Sequence, residues 1–565
     1  VLDRAEKAEN PEEALLSLTV VDPSCGSGHF LVAAARQIAK RVAALRTGDP
    51  EPPPERVRET LRDVVGRCIY GVDINPLAAE LAKVSLWLET LEPGKPLAFL
   101  DAQIKVGNSL MGATPALIAA GVPDDAFKPI EGDDKAIAGH FKKQNKKERS
   151  GQADLFSDGS RLVPDMVRRE FGSLVARRSP ASLTEVAKLK QRLEALDAAP
   201  DLQQQKLVAD AWCAAFVWPN QPDSAPAPTD GIVRALAHGE EIDRSAVSTI
   251  HQLATEYRFF HWHLEFPHIF TAGGAEDGPG WNGGFDVVLG NPPWERVKLQ
   301  EQEFFAVRDP EIAVAPNAAS RKRLIKALEI SNPTLLEEFR RAQRRASGES
   351  HILRSSNRYP LTGRGDINTY AVFAEASRAL IAPRGRMGMI LPTGIATDAT
   401  TQFYFKTLVQ THTLVSLFDF ENAKPLFDGV HRSFKFCLLT LTGMGHPVHE
   451  AQFAFFAHDP SDLNREEARF ELTPDEIQLL NPNTGPCPFF RTRRDAEITL
   501  GIYRRVPVLI NENDPLNGNP WGIKFMTMLH MSNDSHLFHT REELEDDGWE
   551  LIGNVFEREL PSGGG

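Results

Sequence analysis

Long apolar runs are what this sequence most plainly lacks. No stretch approaches the ~20 residues that a bilayer span requires, and the N-terminus has no charged-then-apolar leader pattern, so the reading is a cytoplasmic protein with no membrane partner. Cysteine is scarce: Cys25, Cys68, Cys213, Cys437 and Cys487 lie far apart and form no Cys-x-x-Cys pair. That spacing argues against a disulfide framework and a zinc cluster, and no metal is expected. Surplus positive charge is missing too, because 63 Lys and Arg against 77 Asp and Glu leave a net charge of -14. Any nucleic-acid contact must therefore use local basic patches, since the mean field repels phosphate.

What is present is a chain of 565 residues, 42% hydrophobic and 25% charged. It is too long for one compact core and suits about three or four domains or subdomains. "LSLTVVDPSCGSGHFLVAAARQIAKRVAALR" reads as a strand ending at Asp22, a glycine-rich turn, and a helix from about Phe30. "CIYGVDINPLAAELAKVSLWLETL" repeats strand, turn and helix with the strand ending at Asp73, and "FLDAQIKVGNSLMG" offers a third strand closing on Asn108. Such alternation indicates a parallel α/β sheet. Charged helical stretches then dominate from about 111 to 257, and the sheet pattern resumes at "FDVVLGNPPW". A second helical insert is expected near 298–360, followed by helix, turn and strand in "INTYAVFAEASRALIAPRGRMGMILPTGIATD". "TLVSLFDFENAKPLFDGVHRSFKFCLLTLTG" reads as two strands around a loop, the antiparallel edge of the same sheet, and "REELEDDGWE" as a solvated acidic helix or loop.

In an open parallel sheet, ligands sit outside the carboxyl ends of the strands. Asp22, Asp73, Asn108 and Asn291 all fall at such ends. Gly26 and Gly28 in "DPSCGSGHF" permit close backbone approach, but position 31 is Leu31 and no Lys-Ser/Thr follows. A nucleoside ligand such as S-adenosylmethionine fits this loop better than a pyrophosphate. Asp73 is placed to accept ribose hydroxyls or to cap the helix of "NPLAAELAKV". Asn108 suits an adenine edge or an ordinary turn. The Asn-Pro-Pro-Trp run is a rigid, donor-poor corner directly after a buried strand, which a tight turn alone would also produce.

"DPSCGSG", "GVDINP", "GNSLMG" and "FDVVLGNPPW", in this order, resemble the gamma-class methyltransferases that methylate adenine N6 in DNA. With "FHWHLEFPHIF" before and "KPLFDGVHRSFKFCLLTL" after the Asn-Pro-Pro-Trp run, the pattern is similar to the large methylases of Type IIG restriction-modification and of the BREX and DISARM phage-defence systems, over roughly residues 18 to 445. The resemblance implies a Rossmann-like S-adenosylmethionine-dependent methyltransferase sheet with helical insertions. It implies cofactor contacts from Asp22, Pro23, Cys25, Gly26, Gly28, Phe30, Asp73, Ile74, Asn108 and Asn291. Asn291, Pro292, Pro293 and Trp294 would form the catalytic corner, with the Asn291 side-chain oxygen and the Pro292 carbonyl accepting from the adenine amine. Trp294 would stack on a base flipped out of double-stranded DNA, and Phe427 would pack on its other side. Phe373 matches a position near the cofactor's adenine, or is core.

The sequence departs from the family at several points. Ser24 stands where many relatives have Ala, Asn108 where Asp is usual, and Trp294 where Tyr or Phe is frequent. Some 17 residues precede "LTVVD", so the family's motif before the first strand is cut off or altered. The expected organisation is 1–110 as the first half of the sheet with the cofactor loops and 111–257 as a helical insertion. Residues 258–445 would be the second half with the catalytic motif, and 446–565 the start of a truncated DNA-recognition part. The abrupt start and the "PSGGG" end suggest a fragment. Basic stretches at 141–151 and between 320 and 345 are solvated faces or phosphate contacts, and "RYPLTGRGDINTY" suits a loop over the site. His261, His263 and His268 invite a metal reading, but their spacing suits a strand or turn packed on the core. No Asp…Glu-x-Lys nuclease pattern is visible, so restriction by this chain alone is not expected. Two alternatives remain: a protein-glutamine or RNA N-methyltransferase, and a non-catalytic cofactor-binding subunit that works with other restriction or phage-defence subunits.

Overall fold

The computed structural model describes residues 1–92, 94–150, 163–176, 180–274 and 278–558. Gly151, which closes the first basic stretch, and the "PSGGG" end lie outside the described residues. Two compact units form, one spanning Val1–Arg505 and one from Val506 onward.

The first unit is organised by β1 (Val20–Asp22), β2 (Ile69–Asp73), β3 (Ile104–Val106), β6 (Phe285–Gly290), β7 (Ile381–Pro392), β8 (Leu414–Glu421), β9 (Lys435–Thr442), β10 (Ala451–Ala457) and β11 (Phe470–Leu472), with a separate hairpin of β4 (Phe270–Ala272) and β5 (Trp281–Gly283). The nine sheet strands run in the order β11-β10-β8-β9-β7-β6-β1-β2-β3. From β3 to β7 all pairings are parallel. This is the expected α/β sheet. Strand order reverses between β1 and β6, which puts the loops after these two strands side by side at the carboxyl edge, the usual place for a ligand.

Local sequence explains the elements. β1 is buried throughout and apolar up to its terminal Asp22, as a strand covered on both faces must be. The helix His29–Thr47 begins after Gly28 and stops at Gly48, both with left-handed backbone. The helix Pro76–Glu89 has Pro at its first position and Asn75 as its N-cap. One apolar core, with Leu31, Ile38, Val42, Val64 and Leu86, packs the N-terminal helices against one face of the sheet. A second, larger core carries Trp212, Trp262, Phe266 and Phe285.

Two expectations change. The segment 414–442 does form two strands, but β9 lies inside the sheet between β7 and β8, antiparallel to both, and the edge strand is β11. Apolar alternation marks a strand without saying which neighbours it pairs with, so position in the sheet was not legible. The sheet also continues past residue 445, because β10 pairs parallel with β8 and β11 closes on β10. "FHWHLEFPHIF" holds a single helical turn, Trp262–Glu265, packed on the core, the turn of the two forms expected.

Between β3 and β4 the described chain is helical, and between β6 and β7 it forms five helices, of which the fourth is Pro333–Ser355 and the last Thr369–Leu380. In the second unit, Thr540 and Glu543 cap the exposed acidic helix Arg541–Asp546 reciprocally, and a short antiparallel hairpin follows.

Candidate active site

Asp22 ends β1, is 1% exposed, and its Oδ1 accepts the Ser24 amide at 3.0 Å. Burial pushes its pKa up to about 7; the Ser24 hydrogen bond opposes that rise and the charge of Asp73 adds to it. Gly28 follows with φ of 85°, and a Cβ there would lie 3.2 Å from the backbone of Ala82. Only glycine lets this turn sit so close to the neighbouring helix. Pro23 is buried and its carbonyl accepts the Ser109 hydroxyl. Cys25 is buried, its amide donates to Val72 at 3.0 Å, and burial pushes its thiol far up, so it is inert.

Asp73 ties two loops together. Its Oδ2 accepts the Gly26 amide at 2.9 Å and its Oδ1 the Asn75 amide at 2.8 Å. The helix cap is Asn75, not Asp73. Phe30 and Ile74 are 37% and 42% exposed, apolar side chains left facing solvent beside these loops. Asn108 serves its turn: its Oδ1 accepts the Leu110 amide at 3.2 Å and its own amide donates to Arg258 at 2.7 Å. Phe373 is 7% exposed and packs in a core cluster with Leu110 and Tyr359.

Across the switch point, Gly290 ends β6 against Asp22, because a Cβ on Gly290 would stand 2.6 Å from Asp22 Oδ1. The first and fourth parallel strands thus meet through a glycine and a carboxyl. Asn291 is exposed and Pro292 buried. The Asn291 side chain and the Pro292 carbonyl accept from no other described residue, leaving two acceptors in consecutive residues at the strand end.

The corner is held from behind by Thr369, at the start of the helix Thr369–Leu380. Its hydroxyl donates to the Pro293 carbonyl at 2.6 Å and accepts the Glu295 amide at 3.0 Å, while its own amide donates to the Glu295 carbonyl at 2.8 Å. Trp294 is half-buried and stacks on Phe434, with ring centroids 5.5 Å apart and planes 10° apart. Its Nε1 is buried without a hydrogen-bond partner. Phe427 meets Phe436 edge-on at 5.1 Å and packs, like Trp294, against the cluster of Phe420, Phe436 and Ala457. The loop carrying Phe427 and Phe434 is organised by fully buried Asn422, whose amide donates to the Phe427 and Val430 carbonyls and accepts the Leu426 and Phe427 amides at 2.9–3.1 Å. Sequence reasoning missed Thr369, Asn422 and Phe434. A Thr at a helix start and an Asn in a loop are everyday caps, so only the three-dimensional partner sets these apart.

Much of the basic charge is already paired. In "RRAQRR", Arg340 meets Glu329, Arg341 meets Glu337, Arg344 meets Asp133 and Arg345 meets Glu349. In the first stretch Lys142 and Arg149 face Asp125 and Asp124. The histidines are structural: His261 bridges the Ala113 amide and Asp210, His268 meets the Tyr70 hydroxyl, and His263 stacks on Trp281.

Residues 67–315 match the family model of the Eco57I restriction-modification methylase, and residues 1–97 that of the MmeI DNA-methyltransferase domain. The resemblance to restriction-modification methylases holds. The chain is 34% identical over 112 residues to a candidate type II restriction enzyme and methyltransferase of Methanocaldococcus jannaschii, a match spanning 18% of this chain and 9% of that protein. It is also 34% identical over 86 residues to the adenine-specific methyltransferase PglX of Streptomyces coelicolor, spanning 15% of this chain and 6% of the relative. The matched segments are thus a small part of both relatives. A Type IIL restriction-modification enzyme, MmeI, solved with DNA, aligns over 84% of this chain and 36% of its own at 12% identity with a TM-score of 0.29, too low to bear on the fold.

Proposed function

We propose that this chain is a DNA adenine-N6 methyltransferase that uses S-adenosylmethionine, acting on double-stranded DNA within a restriction-modification or phage-defence system. The observation that carries this is the pair of unused acceptors, the Asn291 side chain and the Pro292 carbonyl, at a proline-fixed corner beside Asp22 and the glycine loop. An exocyclic amine offers two hydrogens, and its lone pair is delocalised into the ring. Two acceptors aimed at those hydrogens favour tetrahedral nitrogen and stabilise the positive charge that grows there.

The donor set fits the cofactor. At Gly26 no described atom lies within 4 Å of where a Cβ would stand, so the loop's backbone is open there, Asp73 offers a carboxylate for ribose hydroxyls, and Phe30 and Ile74 offer apolar surface to an adenine ring. When bound, S-adenosylmethionine supplies an electrophilic methyl on a sulfonium. Asn291 and Pro292 would orient the amine and Thr369 would fix the direction of their corner. Trp294 would stack on the flipped base. Names of the relatives support the DNA adenine substrate over a protein or RNA substrate. Incubation of the full chain with labelled S-adenosylmethionine and unmethylated DNA, followed by nucleoside analysis, tests the reading: label in N6-methyladenine upholds it, and label only in added protein or RNA overturns it.

A further inference from the structure

We propose that Phe434 occupies the target base's place on Trp294 in the DNA-free molecule and must leave it when the base arrives. The inference rests on the methyltransferase reading for the identity of the base, but on geometry for the plug itself. Among the described residues, Phe434 is the aromatic ring stacked on Trp294, nearly parallel and 5.5 Å away by centroids. A flat base held between two rings needs about 3.5 Å on either side, hence roughly 7 Å between their planes. The two rings leave no such gap. Phe427 does not fill this role, since its ring is set edge-on against Phe436.

Phe434 is also built to move. It is 39% exposed, whereas its strand neighbour Phe436 is 3% exposed and stacked on Phe420 at 5.4 Å. Asn422 fixes the preceding loop at Leu426, Phe427 and Val430 through its side chain, and reaches Phe434 only through one backbone bond of 3.0 Å from its amide to the Phe434 carbonyl. The Phe434 side chain can therefore rotate off Trp294 while the loop stays in place. In the resting state its ring covers an otherwise wet indole face. A base that enters has to displace that ring, so only a base also held by Asn291 and Pro292 competes well. This makes Phe434 a specificity determinant for the flipped base.

The test uses the full chain and a short single-stranded oligonucleotide containing 2-aminopurine, whose emission falls when its ring stacks. Removing the plug in Phe434→Ala is expected to tighten quenching-detected binding about 2- to 10-fold, the range of one aromatic pair. Phe434→Leu keeps the apolar volume without a flat ring; it should also tighten binding, and it decides the matter if the Ala variant does not fold. Trp294→Ala should abolish the quench. Unchanged or weaker binding in the Phe434 variants overturns the plug, the weaker result marking Phe434 as a second jaw of the base site. Labelled methyl transfer by the native chain is read separately: absence of transfer with tighter purine binding in Phe434→Ala would retire the methylation reading and leave the plug standing.

Discussion

The Thr369 hydroxyl grips the Pro293 carbonyl at 2.6 Å and the Glu295 amide at 3.0 Å, closing a clamp between a helix start and the end of the Asn-Pro-Pro-Trp corner. The two prolines restrict torsions within the corner, but rigidity alone does not aim it. Thr369 anchors it to the helix that packs behind the sheet.

Replacing Thr369 with Val keeps the shape and removes both side-chain bonds. Methyl transfer should fall about 10- to 100-fold, as expected when reacting groups are misplaced by a fraction of a bond length, with S-adenosylmethionine affinity little changed. Thr369→Ser should restore most of the rate. Single-turnover kinetics of the three proteins checks this, and equal loss in the Val and Ser variants would remove the hydroxyl from the account.

Asp22 gives a pH dependence with a definite sign. Buried, and with a pKa near 7, it binds a proton in the folded chain over a range where the unfolded chain, with a pKa of about 3.9, does not. Stability therefore falls as pH rises from about 4 to 7, and Asp22→Asn should melt higher than the native chain at pH 8. A cationic cofactor favours the ionised carboxyl, so its affinity should rise with pH through 7 in the native chain and less so in Asp22→Asn. Calorimetric titration at pH 6 and pH 8 reads this directly.

Glu265 carries a purely structural prediction. Lys105 and Lys206 sit 2.9 and 2.8 Å from its carboxylate. Burial alone would raise its pKa, but the two ammonium groups outweigh that and hold it well below the carboxylate range. Its contribution is present above about pH 4.3 and is lost as pH falls below that value. Glu265→Gln leaves two partly buried lysines without a counter-charge and should cost about 3–5 kcal/mol in denaturant unfolding.

Gly290→Ala should lose the site with the fold largely kept. The new Cβ would stand 2.6 Å from Asp22 Oδ1, so either β6 or the first loop must shift. Cofactor binding should weaken at least 10-fold, because both walls of the site meet at this contact. Circular dichroism together with cofactor titration checks it.

The parallel half of the sheet was legible because each strand ended in a distinctive turn: "VVDPSCGSG", "GVDINP" and "VVLGNPPW" mark the ends of β1, β2 and β6. The far half was less so. β9 carries the same alternation whether it lies at an edge or inside, and its place between β7 and β8 is set by long-range pairing. At the site, motif residues announced themselves by type and spacing. Phe434 did not: in "HRSFKF" it reads as one more strand aromatic, and only the fold brings it 5.5 Å from Trp294, 140 residues away in sequence. The pairing of the basic runs was not legible for the opposite reason, since composition shows the arginines and not the carboxylates that fold onto them.

In the proposed reaction Asn291 acts chiefly on the methyl acceptor and is not needed to hold the fold. The most direct measurement compares the native chain with Asn291→Ala in labelled methyl transfer to unmethylated DNA, with cofactor affinity measured on the same preparations. Loss of N6-methyladenine by a factor of about 100 or more at unchanged cofactor affinity is the predicted result. Retained N6-methyladenine in the variant would contradict the account and move the chemistry elsewhere in the chain.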